Sequence, residues 1–128
     1  MADIILLIED EADICRAFSD AMSEQRVRVI TASSGEQGIV LYRLHKDEVT
    51  LVVLDLSLPG INGEDTYRVL RRMNPEVKVV VSSGYADDYV RKTFRGFKMV
   101  GFLQKPYTWG TLVESMMEFL RKARSTPK

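Results

Sequence analysis

The sequence has one cysteine, Cys15, one histidine, His45, and one tryptophan, Trp109, in 128 residues. A lone cysteine excludes an intramolecular disulfide and a cysteine metal cluster, which fits a reducing, cytoplasmic setting. Cys15 reads as a small hydrophobe or bystander on a helix rather than a reactive thiol. No charge is in excess, because 18 Lys and Arg stand against 18 Asp and Glu. That balance suggests neither direct nucleic-acid binding nor an affinity for anionic membranes. Long hydrophobic runs are missing too. Ile4 to Ile8, near the N-terminus, is too short for a signal-peptide core or a membrane segment. There is no Gly-rich phosphate loop of the P-loop kind and no Gly-x-Gly-x-x-Gly. Internal repeats and low-complexity tracts are absent as well.

Hydrophobic residues make up 45% of the chain, and 128 residues suffice for one domain with one core. Five short apolar runs recur, at 4–8, 27–31, 51–54, 77–81 and 102–103. Runs that are apolar without alternation are expected of parallel strands covered on both faces. Between them lie amphipathic segments of helical length. Ile14, Phe18 and Met22 form one stripe, Thr66, Leu70 and Met73 a second, and Leu112, Met116, Phe119 and Leu120 a third, all expected to face the core. Ser34 is placed to cap the helix that runs to about Lys46, Thr108 to cap the last helix, and Pro75 closes the third. Strand and helix therefore alternate as (βα)₅, an α/β doubly wound parallel sheet. One domain is expected over 1–122, with a polar tail at 123–128 and fraying from Arg121 onward. On this reading no DNA-binding helix-turn-helix or catalytic effector domain fits behind the fifth unit.

In such sheets ligands bind at the carboxyl ends of the strands, beside the switch point. The residues expected there are Glu9, Asp10 and Glu11 after the first strand, and Asp55 at the third. Ser82 and Ser83 end the fourth, and Gln104, Lys105 and Pro106 the fifth. Carboxylates crowded together repel unless a cation intervenes. A hard divalent ion such as Mg²⁺ takes one or two carboxylates, keeps several waters and leaves room for phosphate oxygens. An aspartate beside it can act as a nucleophile toward phosphorus, with a lysine to neutralise charge on the transferring group. Helix capping alone does not require the lysine and hydroxyl to arrive on separate strands.

Four segments carry a resemblance over nearly the whole chain. They are Leu6-Leu7-Ile8-Glu9-Asp10-Glu11, then Val53-Leu54-Asp55-Leu56-Ser57-Leu58-Pro59-Gly60 with Gly63 after it, then Ser82-Ser83-Gly84-Tyr85, and last Gly101-Phe102-Leu103-Gln104-Lys105-Pro106-Tyr107. In this order and spacing the chain resembles a response-regulator receiver domain of two-component signalling, either free-standing or part of a hybrid sensor kinase. The resemblance implies a flavodoxin-like sheet of strand order 2-1-3-4-5. It implies Asp55 as phosphoacceptor and Mg²⁺ held by Asp10, Asp55 and the Ser57 backbone carbonyl, with Glu9 acting through water. Ser83 is then the switch hydroxyl, Lys105 its cationic partner, and Lys105-Pro106 a cis peptide. Phe102 takes the switch-aromatic position, where tyrosine is common, and Glu9 stands where aspartate is commoner. Ser57 and Tyr85 would tune dephosphorylation, the Tyr85 ring crowding the attacking water.

The partners implied are a sensor histidine kinase or histidine phosphotransfer protein as donor. A downstream protein would bind the face of the fourth helix, fifth strand and fifth helix, around Asp88, Arg91, Lys92, Phe102, Trp109 and Thr111. A phosphorylation-dependent dimer is a further implied form. The chain is expected to act as a signalling switch that catalyses its own phosphorylation and slow dephosphorylation, not as an enzyme on other substrates. A phosphohydrolase of the haloacid-dehalogenase type shares the aspartate, lysine and Mg²⁺. It needs a second aspartate two positions after the nucleophile, where this chain has Ser57. His45 is expected on a helix surface rather than as a phosphoryl carrier. The pairs Arg71-Arg72 and Arg91-Lys92 read as solvated helix faces.

Overall fold

A computed structural model describes residues 3–58, 60–84 and 87–125, the last with backbone only at 87–89 and 125. Five strands alternate with five helices: β1 (Ile4–Ile8), α1 (Ala12–Ser23), β2 (Arg28–Ala32), α2 (Gly35–His45), β3 (Leu51–Asp55), α3 (Gly63–Met73), β4 (Val79–Ser83), α4 (Asp87–Thr93), β5 (Gly101–Gln104) and α5 (Trp109–Ser125). All four pairings are parallel, and the strand order is β2-β1-β3-β4-β5, as the resemblance implies. The chain reverses direction across the sheet between β1 and β3, which puts the switch point beside those two strands.

Burial follows from that order. The three inner strands are buried at every residue, which is why they read as unbroken apolar runs. The edge strands β2 and β5 are only partly covered. Successive side chains of a strand point to opposite faces, so each inner strand feeds two cores. Ile5, Leu7, Leu51, Val53 and Val80 meet Phe18 and Met22 of α1 and Leu112, Met116 and Leu120 of α5. Leu6, Ile8, Val52, Leu54, Val79 and Val81 meet Tyr42 of α2, Tyr67 and Leu70 of α3, and Val90 of α4.

The expected caps form. Ser34 Oγ accepts from the Gln37 amide at 3.1 Å, and Thr108 Oγ1 from the Thr111 amide at 3.2 Å. Several expected boundaries need adjustment, among them the second strand, which is Arg28–Ala32 rather than Val27 to Thr31. The fourth strand begins at Val79 rather than Val77, because the Val77 amide is already bonded to the Asn74 carbonyl at 3.0 Å in the turn that follows α3. Residues 121–125, read as the start of a fraying tail, continue α5, because Ala123 is buried in the α1–α5 core. Residues 126–128 lie outside the described residues.

Candidate functional site

Each site residue stands at the end of the paired part of its strand or one or two steps beyond it, and ladder hydrogen bonds hold the backbone. The Glu9 amide donates to the Ala32 carbonyl at 2.9 Å, the Leu56 amide after Asp55 to Ser82 at 3.1 Å, and the Lys105 amide to Ser83 at 2.7 Å. The sheet thereby fixes where the three charged side chains start. Glu9, Asp10 and Asp55 each bring a carboxylate oxygen to within 4.8 Å of the other two. Lys105 reaches the same spot from β5, its Nζ 2.7 Å from Glu9 Oε1 and 3.2 Å from Asp55 Oδ2.

Glu9 and Asp55 are only 2% and 3% exposed, whereas Asp10 faces solvent. Burying charges is costly unless they are paired and hydrogen-bonded, and here every carboxylate that is buried is met. The Glu11 amide donates to Glu9 Oε2 at 3.2 Å, and the Ser57 amide folds back on Asp55 Oδ1 at 3.0 Å. The Asp55 carboxylate is therefore held on both oxygens. Burial pushes the Glu9 carboxyl above its ordinary pKa, and the neighbouring Asp55 charge adds to this, while Lys105 and the Glu11 amide only partly oppose it. For Lys105, burial works against the charged form, but the two carboxylates outweigh it and hold the ammonium above its ordinary range. One ammonium shared between two acids satisfies itself better than it satisfies either acid. The site retains an unmet demand for positive charge. Its donor set, oxygen atoms only, suits a hard divalent cation.

The other expected residues fall as follows. Ser83 is fully buried at the end of β4. Ser57 is exposed, two residues from Asp55. Phe102 is half-buried on β5 in register with Val81, against the core under α2, α3 and α4, and is not part of the carboxylate cluster. The Lys105–Pro106 peptide is cis. Tyr85, Pro59 and the side chain of Asp88 lie outside the described residues. Arg91, Lys92, Trp109 and Thr111 are exposed, and Trp109 meets Tyr107 edge-on at 5.6 Å. His45 ends α2 on the side away from the cluster, with Nδ1 3.6 Å from Glu48. Cys15 donates from Sγ to the Glu9 carbonyl at 3.3 Å, and burial pushes its thiol up, away from reactivity. No helix among the described residues is long and apolar enough to cross a membrane.

Two further residues support the site for reasons that the sequence does not show. Glu36, in the first turn of α2, accepts from the Ile61 amide at 3.1 Å and so ties down the β3–α3 loop that begins at Leu56. Gly63 opens α3 so close to Leu56 that a Cβ there would lie 3.0 Å from the Leu56 Cα. Glu36 gave no signal, because its partner lies 25 residues away. Gly63 stood in the motif, but its steric reason is visible only in three dimensions.

Comparison with known proteins gives one answer. The chain matches the response regulator receiver domain family over residues 5–117. It is 41% identical over 105 residues to the transcriptional regulatory protein AfsQ1 of Streptomyces coelicolor, covering 72% of this chain and 45% of that protein. It is 30% identical over 118 residues to the sensor kinase CckA of Brucella abortus, covering 92% of this chain and 12% of that protein. The chain thus spans less than half the length of either relative. Among solved structures, a receiver domain protein from Clostridium thermocellum superposes with a TM-score of 0.84 at 22% identity, covering 95% of this chain and 97% of that one, a likeness of fold. The parallel sheet of order 2-1-3-4-5, the acidic cluster at its carboxyl edge and this match have a single explanation, which is that the chain belongs to the response regulator receiver domain family, the phosphoacceptor modules of two-component signalling.

Proposed function

We propose that Asp55 accepts a phosphoryl group from a phosphohistidine and that the chain signals by the change of shape that follows. The observation that carries this reading is the meeting of Glu9, Asp10 and Asp55 within 4.8 Å, with Lys105 Nζ against two of them. Asp10, Asp55 and the Ser57 carbonyl would hold Mg²⁺, and Glu9 would act on it through water. The ion supplies neutralisation of the phosphoryl oxygens, which otherwise repel the attacking carboxylate.

The chain's own residues do the rest. An oxygen of Asp55 forms the new P–O bond as the P–N bond of the phosphoimidazole breaks, and the bonding pair stays with the imidazole nitrogen. The Ser57 amide and Lys105 fix the plane of the nucleophile beforehand, which reduces the reorganisation that attack requires. Lys105 follows the negative charge to the phosphoryl oxygens. The Ser83 hydroxyl turns toward the same group, and Phe102, half-buried next to β4, takes up the space this opens. The signal then leaves through the face of α4, β5 and α5, where Arg91, Lys92, Trp109 and Thr111 are exposed to a protein partner. A histidine kinase or histidine phosphotransfer protein is the donor, a phosphorylation-dependent dimer is one form of output, and the cytoplasm is the setting. Ser57 and Tyr85 set the rate of hydrolysis.

The test is intact mass after incubation with acetyl phosphate. Wild-type protein gains one phosphoryl group with Mg²⁺ and none with chelator, and Asp55→Asn gains none. Labelling of Asp55→Asn at the wild-type rate would move the acceptor elsewhere. With beryllofluoride and Mg²⁺, amide NMR signals of Ser83, Phe102 and Trp109 shift together with Asp55. Changes confined to the surroundings of Asp55 would leave an acceptor without a switch.

A further inference from the structure

At the edge of the sheet opposite the acidic cluster, α3 and the turn after α4 enclose an open groove of about 300 Å³, lined by Tyr67, Arg68, Arg71, Arg72, Gly96 and Phe97. Its floor is aromatic. The Phe97 ring stacks on Tyr67 with centroids 5.1 Å apart and planes 10° apart, and Phe94 closes edge-on against both at 6.1 Å and 5.2 Å. Its wall is cationic. Arg68 lies over the Phe97 ring, 5.2 Å from the centroid, and is shared with Asp65 at 3.0 Å. Arg71, expected on a solvated face, is half-buried and donates to Tyr67 Oη at 2.8 Å. Arg72 is exposed one turn beyond Arg68. Among the described residues, neither Arg71 nor Arg72 has a carboxylate partner.

A favourable position at the C-terminus of α3 explains two basic residues there. It does not explain why guanidinium groups line a groove whose floor is a stacked aromatic pair. Arginine planes beside aromatic rings suit a ligand that is both anionic and flat or apolar. We propose that this groove docks an acidic peptide segment of a partner protein, one that carries an aromatic side chain between its carboxylates. The carboxylates meet Arg71 and Arg72, and the aromatic side chain lies against Phe97 beside Arg68. A protein surface is favoured over a phosphate chain because the floor is apolar and the cations stand on one wall only. The site is independent of Asp55, since it lies at the amino ends of the strands.

The test uses the whole ¹⁵N-labelled chain and an acetylated, amidated peptide Asp-Glu-Phe-Asp-Glu. Saturable amide shifts are expected at Arg68, Arg72, Gly96 and Phe97, with none at Asp10 or Asp55. Affinity falls about tenfold for Arg72→Glu and for the neutral peptide Asn-Gln-Phe-Asn-Gln, the scale of one lost charge contact. It also falls when salt is raised to about 1 M, where screening acts within about 3 Å. Arg72→Glu keeps its circular dichroism spectrum and its acetyl phosphate labelling, because the side chain is exposed and remote from Asp55. Absence of saturable shifts, equal affinity for the neutral peptide, or unchanged affinity of a folded Arg72→Glu variant overturns the proposal. So does tighter binding of a single-stranded oligonucleotide at the same residues, which would make the groove a nucleic-acid site.

Discussion

Lys105 Nζ lies 2.7 Å from Glu9 Oε1, so the last strand of the sheet is tied to the end of β1 by a contact that spans 96 residues of sequence. The lysine side chain is 21% exposed and the glutamate 2%, so the buried acid depends on a cation that is itself partly in water. This ammonium already supplies positive charge to two of the three clustered carboxylates. Lys105→Met should therefore have two effects of opposite sign. In chelator, stability falls by about 1–3 kcal/mol, because a buried carboxylate loses its partner. Mg²⁺ affinity rises severalfold, because a competing charge is gone. Urea melts and calorimetric titration measure the two, and lower Mg²⁺ affinity in the variant would mean that lysine organises the carboxylates rather than competing for them.

Glu36 bears on the site without touching it. Its carboxylate holds the Ile61 amide at 3.1 Å, and Gly60, with φ at +74°, turns the chain beside it. Glu36→Ala should change stability by less than about 1 kcal/mol, since the residue is exposed. It should still weaken Mg²⁺ binding by about tenfold, the low end for groups that position metal ligands. Faster amide exchange at Ile61 is the accompanying sign of a loosened loop. Unchanged Mg²⁺ affinity would limit Glu36 to capping its own surroundings.

Gly63→Ala sets two effects against each other. Alanine is the better helix former, by about 0.5–1 kcal/mol. Its Cβ, however, would lie 2.7 Å from Leu56 Cδ2, 3.0 Å from Leu56 Cα and 3.3 Å from the Asp55 carbonyl. Backbone beside Asp55 cannot move aside as a flexible side chain can. The clash should win, with a net loss of about 1–3 kcal/mol in chemical denaturation and slower labelling of Asp55. A stabilised variant would show slack between α3 and β3.

Tyr67 is buried, and its hydroxyl both donates to the Lys98 carbonyl and accepts from Arg71 Nη1. Tyr67→Phe keeps the ring stack and removes both bonds. Expected is a loss of about 1–2 kcal/mol in thermal or urea melts, with Asp55 labelling intact. Loss of labelling instead would connect this end of α3 to Asp55.

The sequence by itself determined what is local. Unbroken apolar runs mark buried parallel strands because each inner strand is covered on both faces, and of the stripe Ile14, Phe18 and Met22 the last two face the core while Ile14 is half-buried. Ser34 and Thr108 cap helices because the hydroxyl and its amide are three residues apart. The candidate site was legible as types of residue at strand ends, because parallel strands deliver their carboxyl ends to one edge. The tertiary structure alone decided distances and boundaries. Whether Lys105 reaches Glu9 and whether Glu36 reaches Ile61 depend on how separate βα units stack. The end of α5 was hidden for the same reason. A polar sequence gave no cause to extend the helix, and only the core cluster in which Ala123 is buried supplies one. Spacing along the chain governs interactions within a turn or a strand, whereas contacts across tens of residues arise only when the core has brought those segments together.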